Sequence, residues 1–283
     1  MYEEHWGLKE KPFENTPDPR FIYYSHQHQE ALSRMLYVVR ERKGAAFLSG
    51  EYGSGKTLLS RVLLEKLQEE NQCQSVFIFN PRLSSLDFIR EIVYQLEGSK
   101  ETSLDKINLF HNLHKILLSN HDAGKHTVVI IDEAQAIADQ DIFEELRLLL
   151  NFQLNNLFLL SIVLIGQPEL IQKVINLPQL RQRIAVNFHL RALDEEGTKQ
   201  YIQHRLKVAE AKRQIFDSAA HKEIYLNSFG IPRQINNICD LALLAGYGSG
   251  LDMIDKETIL QVSEDLEGLY PRTKESIEGE RKI

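Results

Sequence analysis

Apolar positions along this chain follow two rhythms. Recurring every three or four residues, they predict helices. Residues 26–42 carry Ala31, Met35, Leu36 and Val39 on one such face, and 56–70, 86–97, 106–120 and 140–151 follow the same period. Between these lie short apolar runs closed by turn residues: 45–49, 75–79, 127–131, 160–165 and 185–190. Such runs predict strands, and a run as continuous as Val128-Val129-Ile130-Ile131 suits a strand covered on both faces. Strands alternating with helices predict an α/β fold, a five-stranded parallel sheet between helical layers.

Beyond Leu190 the strand signals stop. Residues 193–269 read as helical, punctuated at Gly230 and at Gly246, Gly248 and Gly250. The opening segment holds Pro12, Pro17 and Pro19 but also Trp6, Phe13, Phe21, Tyr23 and Tyr24, too aromatic for a solvated linker. The predicted division is an ordered but irregular arm (1–25), an α/β core (26–191), a small all-α domain (192–270) and a charged, frayed tail (271–283).

Composition narrows the field. With 283 residues, 43% of them hydrophobic, the chain can bury a core without disulfide or metal staples. Thirty-three Lys and Arg stand against forty Asp and Glu, a net charge of -7. That balance argues against a dedicated nucleic-acid coat, whose affinity rests on basic side chains, though a local basic patch remains open. The densest basic cluster, Arg40, Arg42 and Lys43, adjoins a predicted helix C-terminus, where cations suit the dipole. Cys73 and Cys239 read as reduced, largely buried thiols. The first residues lack an apolar signal core, and the longest apolar stretch, 157–165, falls short of the ~20 residues a membrane span needs. The expectation is a soluble cytoplasmic chain. Ten histidines show no metal-ligand spacing; His111 and His114 lack a carboxylate or thiol partner at the right interval.

The chemistry is concentrated in two places. Residues 50–57 read Gly-Glu-Tyr-Gly-Ser-Gly-Lys-Thr, a full G-x-x-x-x-G-K-[ST] match between a predicted strand and a predicted helix. Gly53 and Gly55 let the backbone curl so that successive N–H groups face one anion, and the helix start adds its positive dipole end. Lys56 would reach the β- and γ-phosphates, and Thr57 would offer a hydroxyl to Mg²⁺. The predicted nucleotide-binding set is Gly50, Tyr52, Gly53, Ser54, Gly55, Lys56, Thr57 and Leu58. The second place is the end of the run at 128–131, where Asp132 and Glu133 follow. Ligands of open α/β sheets sit beyond the carboxyl ends of the strands. Asp132 would therefore hold Mg²⁺ through water, and Glu133 would orient water toward the γ-phosphate. No N-K-x-D tetrad is present to read guanine, which favours ATP.

Asp132-Glu133-Ala134-Gln135 resembles the acidic motif of AAA+ ATPases, and the wider sequence resembles the ExeA/GspA family of secretion ATPases, with MshM-like pilus and exosortase-associated relatives. The similarity runs through Gly7-Leu8, Lys11-Pro12-Phe13, Pro17-Asp18-Pro19-Arg20-Phe21 and residues 25–32. It continues through 145–151, Gly166-Gln167-Pro168-Glu169-Leu170, Leu180-Arg181-Gln182-Arg183-Ile184 and Gly230-Ile231-Pro232-Arg233-Gln234-Ile235-Asn236.

The resemblance implies a P-loop AAA+ core followed by a helical lid. It implies that Gln167 senses the γ-phosphate. It implies that Arg183, or failing it Arg181, is an arginine finger reaching a neighbouring subunit. Arg233, with Pro232 beside it, would contact the nucleotide from the lid, and Tyr24 would flank adenine or simply pack. Further implications are ATP and Mg²⁺ as ligands, a homo-oligomer in the form of a hexameric ring, and a membrane-bound partner. That partner would belong to type II secretion, a pilus or polysaccharide export, and would bring the protein to the inner membrane. The alternative is a switch that loads on DNA, as transposition helper ATPases do. Longer family members continue into a membrane span and a peptidoglycan-binding domain; that binding is not carried over to these residues.

Overall fold

The computed structural model describes residues 1–98, 105–155 and 157–267. The predicted tail, 271–283, lies outside them. The chain forms two compact units, one of Tyr24–Arg191 and one that joins Met1–Tyr23 to the residues from Ala192 onward.

The first unit is built on the predicted strands. They are β1 (Ala45–Gly50), β2 (Cys73–Ile78), β3 (His126–Ile131), β6 (Leu160–Gly166) and β7 (Ile184–Leu190), with a two-residue hairpin pair, β4 (Gln153–Leu154) and β5 (Leu157–Phe158), between β3 and β6. The five main strands make one parallel sheet in the order β2-β3-β6-β1-β7. β1, β3 and β6 are buried along their whole length, which is why they read as unbroken apolar runs. β7, at an edge, alternates in burial.

One face of the sheet carries Phe47, Ile78, Ile131 and Leu164 against Phe88, Ile92, Leu113 and Phe143, from helices Ser85–Glu97, Lys106–Asp122 and Gln140–Leu149. Helices His26–Arg40 and Lys56–Glu69 pack on β1, β2 and β6 from the other side. The helix expected over 140–151 stops at Leu149, because Leu150 and Asn151 turn the chain into the β4–β5 hairpin. Two-residue strands carry no readable period, so that hairpin left no signal. The basic cluster is largely engaged: Arg40 pairs with Glu70, and a guanidinium nitrogen of Arg42 lies 3.0 Å from His121 Nδ1. Cys73 is only half-buried, whereas Cys239 is fully buried.

The second unit is helical: Glu195–Val208, Ser218–Ser228, Pro232–Gly248 and Lys256–Glu267. Its core contains Ile202, Phe216, Ile235, Cys239 and Leu243 together with Trp6, Phe13 and Phe21 from the arm. The Trp6 indole is fully buried and donates to the Leu243 carbonyl at 2.9 Å. Gly246 does not punctuate this unit. It lies inside the helix Pro232–Gly248, which Gly248 ends, and a Cβ at Gly246 would stand 2.8 Å from the Trp6 ring. Gly246 is small because an aromatic ring packs on it. Gly250, at φ +65°, lies in the turn beyond the helix. Among the described residues no helix is long and apolar enough to cross a membrane.

Candidate functional site

The strand order sets the site. The glycine-rich loop leaves the carboxyl end of β1, and Asp132-Glu133 leave that of β3. β6 runs between these two strands and delivers Gln167 between them; Ser49 is in register with Gly166, and Ile131 with Leu164. Three segments far apart in sequence therefore meet at one end of the sheet, where ligands of parallel α/β folds bind.

Within the loop, Gly53 and Gly55 take φ of +82° and +96°, a left-handed backbone that residues with a Cβ rarely adopt. Gly55 caps the helix Lys56–Glu69, which aims that helix's free N–H groups at the loop. The Ser54 hydroxyl is buried without a hydrogen-bond partner among the described residues, as expected of a group that an anion completes. Lys56 is buried, and its ammonium donates to the carbonyls of Gly50 and Glu51, each at 2.8 Å. Burial lowers its pKa, against the opposing pull of Glu133, Asp132, Glu51 and Glu169.

Asp132 is 3% exposed. Burial pushes its carboxyl above the ordinary carboxylate range, while the Thr57 hydroxyl and the Glu133 N–H, the latter at 2.9 Å, pull it back. An ionisable oxygen beside a hydroxyl is the hard-oxygen donor set that suits Mg²⁺. Glu133 has a left-handed backbone, φ +51°. Its carboxylate accepts from the Gln135 side-chain amide and, at 3.4 Å, from that of Gln167.

Two residues close to this site were given no role by the sequence, although Gln135 stands in the acidic motif and His28 in the similar stretch 25–32. Gln135 is one. The other is His28, nine-tenths buried, whose ring lies 2.7 Å from the Ser25 hydroxyl and hydrogen-bonds the Ser54 backbone. Burial lowers its pKa. The available signal for His28 was the Ser25 cap three residues before it. Tyr52 is 60% exposed and Tyr24 39% exposed. Leu58 lies half-buried in the first turn after the loop.

Arg181 and Arg183 are placed elsewhere in the first unit. Arg183 precedes β7, and its carbonyl accepts from Ala45 N–H at the start of β1. The loop lies at the far end of β1, about 20 Å away at the rise of a strand. The Arg183 guanidinium is held by Asn151 at 2.6 Å. Arg181 is exposed, with no ion pair among the described residues. Pro232 and Arg233 open a helix of the second unit, Pro232 buried and Arg233 half-buried.

Sheet order, loop and acidic pair define a P-loop domain of the AAA+ class. A family model described as "AAA domain" matches residues 39–174. The chain is 38% identical over 274 residues to general secretion pathway protein A of Aeromonas hydrophila, a match spanning 95% of this chain and 49% of that protein. It is a GspA-like AAA+ protein, covering about half the length of that relative.

Solved structures agree on the fold. ORC2 of Aeropyrum pernix, in ADPNP–ADP complexes, superposes with a TM-score of 0.67 at 14% identity, over 90% of this chain and 71% of its own. Cdc6p of Pyrobaculum aerophilum gives 0.68 at 16%, over 88% and 70%. The RuvB branch-migration motor of Thermotoga maritima gives 0.57 at 19%, over 86% and 70%.

Proposed function

We propose that this protein binds ATP with Mg²⁺, hydrolyses it, and uses the cycle to assemble or switch part of a cell-envelope machine. The observation that carries the reading is the convergence of Lys56, Thr57, Asp132, Glu133 and Gln167 at one end of the sheet. Lys56 would leave the Gly50 and Glu51 carbonyls for the β- and γ-phosphates. Thr57 and Asp132 would hold Mg²⁺, Asp132 through water; the ion, when bound, neutralises phosphate charge. Glu133 would take a proton from the attacking water while the bond from the γ-phosphorus to the bridging oxygen breaks and ADP leaves with that oxygen. Gln167 would register the γ-phosphate.

An arginine from a neighbouring copy would steady the transition-state charge. Arg183 and Arg181 both lie about a strand's length from their own loop, so either acts only across an interface. That supports a homo-oligomer, and a hexameric ring is the form we propose for it. Arg233 would report the nucleotide to the helical unit. The 38% identity to general secretion pathway protein A supports a secretion system as the setting. A membrane-bound partner in that system would bring the protein to the inner membrane. A pilus or a polysaccharide exporter is the other setting among cell-envelope machines.

The test pairs two variants. Lys56→Ala should weaken ATP binding by about tenfold or more, since it removes a charge-assisted contact. Glu133→Gln should keep ATP binding within about twofold and lower turnover by about a hundredfold or more. Equal loss of binding in both would contradict the roles given to these residues.

One observation favours a second reading, the loading of nucleic acid. The helical unit has a cavity of about 550 Å³ lined by Lys199, Lys207, Arg213, Gln203, His221 and Phe216. ATP turnover stimulated by DNA and lost on Lys199→Glu with Lys207→Glu would favour that reading. Indifference to DNA would leave the envelope reading alone.

A further inference from the structure

Glu133 is held by two amides, Gln135 from the segment after β3 and Gln167 from the segment after β6, and one of these side chains links the two segments. The Gln135 amide nitrogen donates to the Glu133 carboxylate, and its oxygen accepts from Gln167 N–H at 3.0 Å. Chemistry fixes the amide's orientation: a carboxylate only accepts and a backbone N–H only donates, so flipping the group would break both bonds. Gln167 closes the triangle through its own amide, 3.4 Å from the same Glu133 oxygen.

Two neighbours confine Gln135. The Lys173 ammonium donates to the Gln135 and Ile137 carbonyls, each at 2.7 Å, and pins the 135–137 backbone. Gly166 leaves room for the side chain. A Cβ there would stand 2.7 Å from Gln135 Oε1 and 2.7 Å from Leu170 Cδ2. The last residue of β6 is therefore a glycine at the point where Gln135 crosses toward Gln167.

We infer that Gln135 is a positioning residue that couples Gln167 to Glu133, so that a shift of Gln167 on meeting the γ-phosphate is passed to the base through one amide. The inference rests on the proposed role of Glu133 as base. It assigns Gln135 no contact with nucleotide. Its loss should act on turnover rather than on ATP affinity.

The experiment measures kcat and KM for ATP, with ATP affinity and the thermal midpoint as controls, in Gln135→Leu, Gln135→Glu, Gln167→Ala, Gly166→Ala and the double variant Gln135→Leu/Gln167→Ala. Gln135→Glu is the safeguard against misfolding. It keeps the shape and the acceptor for Gln167 N–H but sets a carboxylate against Glu133.

Gln135→Leu and Gln135→Glu should each lower kcat about ten- to a hundredfold, the range expected when a catalytic group is misplaced by about 1 Å. KM and ATP affinity should stay within about twofold. Gly166→Ala should behave alike, because it evicts the same side chain. The double variant should be no slower than the slower single variant, since Gln167→Ala removes the amide that meets the γ-phosphate and Gln135→Leu removes the side chain that passes its shift to Glu133. Wild-type kcat in both Gln135 variants, or fully multiplicative losses in the double variant, would overturn the coupling. Glu133→Gln separates the two failures. If it stalls while the Gln135 variants turn over normally, only the coupling is wrong; if it turns over normally, the base assignment falls and the coupling with it.

Discussion

Thr57 and Asp132 show how a local motif acquires chemistry from a distant one. The hydroxyl bonds a carboxylate that burial holds above its ordinary range, in a place where a divalent cation would reverse that pressure. Thr57→Val keeps the volume and removes the oxygen. It should raise the Mg²⁺ concentration for half-maximal hydrolysis by about tenfold or more, read by titrating Mg²⁺ at fixed ATP. An unchanged Mg²⁺ dependence would remove Thr57 from the metal site.

At this scale the sequence was legible where function is contiguous. Residues 50–57 announce their own geometry, because glycines at fixed offsets have few other uses. Gln135 and Gln167 are 32 positions apart, and their meeting depends on β6 lying between β1 and β3. No periodicity encodes that order. His28 was hidden for a similar reason: a histidine on an apolar helix face looks like any other core residue until the loop it supports is in place.

Among the elements, β3 carries a charge-sensitive device at its start. His126 is 4% exposed and lies 2.9 Å from the Ser161 hydroxyl on neighbouring β6. Burial, with Arg42 and His121 nearby, pushes its pKa down to about 3 from an ordinary 6.5. The unfolded chain takes up this proton as pH falls through about 6.5, and the folded chain does so only near 3. The contribution is therefore complete above about pH 6.5 and is lost at up to about 1.4 kcal/mol per pH unit as pH falls toward 3.

His28 shifts in the same direction and Asp132 in the opposite one, so the comparison with a variant isolates His126. His126→Gln, neutral at every pH, should show a shallower loss of urea stability between pH 6.5 and 4 than the wild type. Parallel slopes would contradict the assignment. The main strands were legible to within two residues, because two-sided burial makes them apolar throughout. Gly246 misled because glycine marks both a turn and a close approach, and only the Trp6 ring distinguishes them.

In the whole molecule, the opening segment shares one core with the helices that follow residue 192. Aromatic content marked the arm as ordered. That Trp6, Phe13 and Phe21 pack with residues some two hundred positions later was not readable, since nothing local specifies a long-range partner.

The other fact at this scale is directional. Phosphate loop, acidic pair and Gln167 sit at the carboxyl end of the sheet, whereas Arg181 and Arg183 sit toward the amino end. A protein that needs both at one γ-phosphate has to supply them from two copies. The decisive measurement is the light-scattering mass of Glu133→Gln with ATP and Mg²⁺, repeated after adding Arg181→Ala and Arg183→Ala together. An ATP-dependent ring that is absent without nucleotide and dissolves when both arginines are removed is the predicted result. A monomer with ATP bound, or a ring indifferent to both arginines, would contradict the account.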